Sequence, residues 1–64
     1  MKVRYKLECH DGWSLLTATD SGVLVDVRTV GWTTEQDVRS FHDEMFPSCD
    51  FAGVDFFTDA EFFG

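Results

Sequence analysis

Lys2-Val3-Arg4-Tyr5-Lys6-Leu7-Glu8-Cys9 alternates without a break. Val3, Tyr5, Leu7 and Cys9 fall on one face, and Lys2, Arg4, Lys6 and Glu8 fall on the other. A period of two predicts a half-buried strand, because successive side chains on a strand point to opposite sides. Outward from it, His10-Asp11-Gly12 supplies turn chemistry and Trp13 to Thr19 reads as a second strand. Asp20-Ser21-Gly22 is the next turn, and Val23 to Val30 is rich in β-branched residues, which predicts a third strand. Turns this short force antiparallel neighbours, so residues 1–31 are expected to form a three-stranded meander.

Gly31-Trp32 ends that pattern. Thr33 with Gln36 fits a capping box, and Glu35 and Asp37 place acids in the first turn, where they suit the helix dipole. Val38, Phe41 and Met45 then recur at helical spacing with His42 at the edge of the stripe, so a helix is expected over 33–46. Pro47 stops it. In the acidic and aromatic segment 49–64, Val54 to Phe57 is expected to be a strand. Thr58-Asp59-Ala60-Glu61 fits a second capping box for a short helical turn. The whole chain, 1–64, reads as one α+β domain. A three- to four-stranded antiparallel sheet carries one main helix packed on it and a short C-terminal turn or helix.

Length bounds what such a domain can do. Sixty-four residues bury only about 60% of the surface that the unfolded chain exposes, so a catalytic cleft would compete with a small core. Met1 to Lys6 lacks the apolar run of a signal peptide, and no stretch approaches a membrane span. With two cysteines, Cys9 and Cys49, and no CxxC pair, a reduced cytoplasmic protein is expected.

Charge separates the halves. The formal net charge is −7. In residues 1–32, Glu8, Asp11, Asp20 and Asp26 balance Lys2, Arg4, Lys6 and Arg28. In residues 33–64, Glu35, Asp37, Asp43, Glu44, Asp50, Asp55, Asp59 and Glu61 face Arg39 alone. Direct nucleic-acid binding and attraction to anionic membranes are disfavoured, since both need clustered Lys and Arg. Part of the helix charge neutralises itself, because Glu35–Arg39 and Arg39–Asp43 are both i, i+4 pairs, whereas Asp37 and Glu44 have no basic mate at that spacing. In the tail, Asp50-Phe51, Asp55-Phe56-Phe57 and Glu61-Phe62-Phe63 set an acid before each Phe or Phe pair. Adjacent residues on a strand face opposite ways, so one Phe of each pair is expected at the surface.

Catalytic and metal readings are weak. Cys9, His10 and Asp11 are of nucleophile, base and acid type, but neighbours on a strand diverge. Cys9, His10, His42 and Cys49 lack the paired spacing of a structural zinc site, and His42 is better read as a half-buried core residue. A non-enzyme without metal or cofactor is expected. The partner-binding set is Glu35, Asp37, Asp43, Glu44, Asp50, Asp55, Asp59 and Glu61, with Phe57, Phe62 and Phe63.

Two uses of that set compete. Carboxylates in a row can occupy a cationic groove that normally neutralises phosphates. The other use is an adaptor, in which the acid-Phe tail docks on a host protein and the sheet is only a carrier. A homodimer seam would also cover the surplus Phe. In size, acidity and compactness the chain resembles the small phage-encoded anti-CRISPR proteins, several of which act as DNA mimics. The resemblance is to a class and carries no residue correspondence. It implies an inhibitor in the host bacterial cytosol, acting on a DNA-binding protein or a subunit of a CRISPR surveillance complex with a basic groove.

Overall fold

The alternation in residues 2–9 becomes strand β1 (Lys2–His10), and its odd positions are the centre of the core. Val3, Tyr5 and Leu7 are each no more than 1% exposed. The computed structural model describes residues 2–58. Beyond those lie Asp59, Glu61, Phe62, Phe63 and the expected C-terminal helical turn. Strand β2 (Trp13–Asp20) pairs antiparallel with β1, and β3 (Val23–Val30) pairs antiparallel with β2, so the expected meander is present. The β2–β3 turn puts both Ser21 (φ 52°) and Gly22 (φ 84°) in left-handed backbone. That is the combination that lets a two-residue loop follow the twist of its strands.

Helix α1 (Glu35–Met45) is shorter than the expected 33–46, and its cap lies one residue later. Thr34, not Thr33, accepts the Asp37 amide at 3.3 Å, and its hydroxyl donates to the Asp37 carboxylate at 2.9 Å. Asp37 thus stands at the place the sequence assigned to Gln36, but its carboxylate accepts from the Thr34 hydroxyl, whereas a capping box would engage the backbone amide of the cap residue. At the other end, Phe46 leaves the helical region before Pro47, with its amide bonded to the His42 carbonyl at 2.8 Å. The buried face also turns slightly. Val38, Phe41 and His42 are inside, while Met45, in the last turn, is 50% exposed.

The final strand, β4 (Asp50–Thr58), is longer than expected and lies beside β1, giving the sheet order β3-β2-β1-β4. It runs parallel to β1, so the sheet is mixed and not wholly antiparallel. The cause is the helix. β3 and β1 run the same way, and α1 carries the chain back along the sheet once. The next strand must therefore repeat the direction of β3, which makes β3-α1-β4 a parallel crossover. Gly53, at φ 119°, absorbs a register slip between Val3↔Phe51 and Arg4↔Gly53.

One face of this sheet is covered by α1. Leu16 and Ala18 of β2 join Val3, Tyr5 and Leu7 beneath Val38 and Phe41, and Phe51 and Val54 close the β4 side. The even positions of β1 form the opposite, open face.

Candidate functional site

The acidic surface can be traced from what holds the helix down. Phe41 is the main anchor. Its ring meets Tyr5 edge-on at 6.2 Å and Trp32 at 5.4 Å, and the Arg28 guanidinium sits 4.8 Å above it. His42 is the second anchor, buried where a half-buried position was expected. Its Nε2 lies 2.9 Å from the Cys49 carbonyl oxygen, which only accepts, so Nε2 carries the hydrogen. Nδ1 is then an acceptor for the Tyr5 hydroxyl at 2.7 Å. Helix, β1 and the approach to β4 are thereby pinned by one imidazole. Burial, with smaller contributions from Cys49, Asp26 and Asp43, pushes the Tyr5 phenol up to about 12.

With Val38, Phe41 and His42 inward, the acids are sorted by angle. At 100° per residue, Asp37 and Glu44 lie within 20° of each other and about 10 Å apart along the axis. They share the flank beyond Phe41, on the side of Arg28 and β3. Glu35 occupies the opposite flank, and Asp43 points away from the sheet with Arg39 4.0 Å from it. Arg39 also lies 4.9 Å over the Phe51 ring. Glu35 and Glu44 make no ion pair among the described residues. Four carboxylates against one guanidinium leave the outer surface of α1 strongly negative.

The remaining acids of the expected set are elsewhere. Asp55 lies on the open face, held by Arg4 through Nε to Oδ2 and Nη2 to Oδ1, each 3.0 Å. Asp50 stands opposite Lys2 in the β1–β4 register. Phe57 is also on the open face, opposite Glu8, with the Lys6 ammonium 6.0 Å from its ring centre. Its neighbour Phe56 turns to the helix side and is 40% exposed, so the two rings do face opposite ways. Asp59, Glu61, Phe62 and Phe63 lie outside the described residues. The structure therefore brings Glu35, Asp37, Asp43 and Glu44 onto one element and sets Asp50, Asp55 and Phe57 apart from them.

The open face is balanced in charge. Lys2, Arg4 and Lys6 all project there, and Lys6 reaches Glu8 at 3.2 Å. A cavity of about 210 Å³ lies between Arg4, Lys6, Thr17, Thr19 and Asp55. The molecule is thus uneven across its sheet, with a charge-balanced open face behind, where Lys2, Arg4 and Lys6 meet Asp50, Asp55 and Glu8, and an acidic helix in front. Sequence reasoning missed this because the β1 cations and β4 acids become neighbours only through the parallel pairing.

Two candidate chemistries are also placed. Cys9 lies on the core side of β1, whereas the His10 ring stacks on Trp13 at 4.2 Å on the open face. Both ring nitrogens of His42 are engaged in the core. Among the described residues no three His, Cys, Asp or Glu side chains converge as a metal site. No helix among them is long and apolar enough to cross a membrane. No protein-family model, curated protein or solved structure matches the chain. Its class is set by architecture alone, a four-stranded mixed sheet with one helix laid across it.

Proposed function

We propose that the chain is a non-catalytic binding protein whose helix surface enters the cationic groove of a nucleic-acid-binding protein. It would offer carboxylates where DNA offers phosphates. The observation that carries this reading is the confinement of Glu35, Asp37, Asp43 and Glu44 to one exposed element, with the β1 cations held on the opposite face of the sheet. A preformed helix presents such charges without a backbone ordering cost on binding, and like-signed clusters steer encounter with a basic partner. The class resemblance supports a phage-encoded inhibitor of a CRISPR surveillance complex or related bacterial defence protein.

The test is capture from bacterial lysate on the immobilised chain, eluted by a salt gradient, with the double variant Asp37→Asn/Glu44→Gln run beside it. The reading expects a nucleic-acid-binding protein that elutes early in the gradient, is retained weakly by the double variant and loses its DNA when the chain is added. Asp55→Asn should leave capture unchanged, since that carboxylate is held by Arg4 on the other face. Capture indifferent to salt and to the double variant would refute the proposal. Binding lost only on deletion of residues 59–64 would instead favour the adaptor.

A further inference from the structure

The sheet has two edges, β3 and β4, and β3 is the one that carries a run of exposed aliphatic side chains. β3 has a single neighbour, β2. Val23, Leu24, Val25 and Val27 are 66, 58, 38 and 47% exposed. An edge strand offers a row of unpaired N–H and C=O groups, and natural edges are guarded by Lys, Pro, brevity or a bulge. β3 has eight residues and neither Lys nor Pro. Its guards are a bulge at Val25, where the register with β2 slips between Thr19↔Leu24 and Ala18↔Asp26, and the charged side chains of Asp26 and Arg28, which neutralise each other within the strand. From Asp26 onward the strand is regular.

We propose that this edge is a self-association surface, in which two copies of the chain pair through β3, antiparallel, about a two-fold axis at Val27. The direction of the backbone groups favours that centre. Beside a two-residue turn, Asp20↔Val23 is a mutually bonded pair, and such pairs alternate along an antiparallel ladder. Counting along β2 from Asp20, Thr17 is a non-bonded position, and its partner is Val27. The Val27 N–H and C=O therefore point to the free edge, where a second Val27 can exchange both bonds with them.

Charge selects a second copy as the occupant. Asp26 and Arg28 flank Val27 on the helix side, with Arg28 Nε 2.9 Å from Asp26 Oδ2. A two-fold at Val27 places Asp26 opposite Arg28 of the second copy, and Arg28 opposite Asp26 of the second copy. The two intrastrand pairs then close into a ring of four charges of alternating sign. On the open side the facing residues are Val27 and Val27, a β-branched pair of the kind that stabilises cross-strand contact. The strand itself is neutral although each chain carries −7. Because the axis is perpendicular to the sheet, both helices lie on the same side of an eight-stranded sheet.

The short regular stretch makes this a weak, concentration-dependent dimer, best read by sedimentation equilibrium of the full chain from roughly 10 μM to 1 mM. In about 0.15 M salt the mass should rise from 7.3 kDa toward twice that value. More salt should strengthen association by screening the two like-charged chains, the opposite of its effect on groove binding. Val27→Lys sets two ammonium groups face to face and should weaken the dimer about tenfold or more. Asp26→Arg and Arg28→Asp should each sediment as monomers, and an equimolar mixture of the two should recover the dimer. That recovery needs both variants folded, so misfolding cannot imitate it. A wild-type mass of 7.3 kDa at every concentration would overturn the proposal. So would a dimer that ignores Val27→Lys, or charge variants that fail to recover on mixing.

Discussion

Replacing Tyr5 by Phe removes one oxygen from the core and nothing else. The ring keeps its stacking on Phe51 at 5.6 Å and its edge contacts with Phe41 and His42. What is lost is the 2.7 Å hydrogen bond to His42 Nδ1, which leaves a buried acceptor bare. An orphaned buried group of that kind costs about 1–3 kcal/mol, or about 7–22 °C in melting temperature for a domain of this length. The pH dependence gives a second, independent signature. The Tyr5 phenol is raised from 10.0 to about 12, first by burial. Below its unfolded value the phenol keeps its proton in both states, and the contribution is fully present. As pH rises from about 10 to about 12, the unfolded chain ionises while the folded one resists, and stability falls. The loss attributable to this group is about 1 kcal/mol at pH 11 and about 3 kcal/mol once both states are ionised. Urea unfolding of wild type and Tyr5→Phe near pH 7 and pH 11 measures both effects through the two tryptophans. Tyr5 is the sole tyrosine, so phenolate absorbance titrates it alone. Lysines titrate alike in both chains, so the stability gap between the proteins should narrow at high pH. A substitution neutral near pH 7, or a gap unchanged in alkali, would refute the argument.

Phe41→Ala should cost about 3–5 kcal/mol, comparable to the whole stability of a chain of this length, and circular dichroism should report its unfolding at room temperature. At the β2–β3 turn, Ser21→Asn should raise the melting temperature modestly, because Asn accepts left-handed backbone more readily than Ser. Gly22→Ala should lower it by the equivalent of about 1 kcal/mol, since an L side chain at φ 84° is strained.

Local pattern made most of the fold legible. The β1 alternation identified the core side of the sheet correctly, and the two-residue turns dictated the meander. The helix cap slid by one residue because Thr33 and Thr34 are chemically equivalent candidates, and only the approach of Asp37 distinguishes them. The direction of β4 was less accessible, since it depends on how often the chain reverses and not on any residue within the strand. That direction also governs the acidic surface. Asp50 and Asp55 look unpaired when the halves of the sequence are compared, yet they stand beside Lys2 and Arg4 once β4 lies against β1. The helix quartet was legible because an α-helix fixes its own angular order. His42 was assigned to the core, but its bonds to Tyr5 and Cys49 join residues 37 and 7 positions away, beyond the reach of any periodicity.

The parallel seam between β1 and β4 also sets the order in which the molecule can assemble. Both hairpins of the meander close across two residues, a microsecond event. Joining Lys2 to Asp50 closes a loop of 48 residues, with an entropic cost of about 3 kcal/mol beyond that of the shortest loops. Until that seam forms, β1 is itself an open edge with its buried side chains half covered, and Phe51 has nothing to stack upon. A strand that supplies none of the helix carboxylates is therefore the one whose arrival decides when the helix has a complete sheet to lie on.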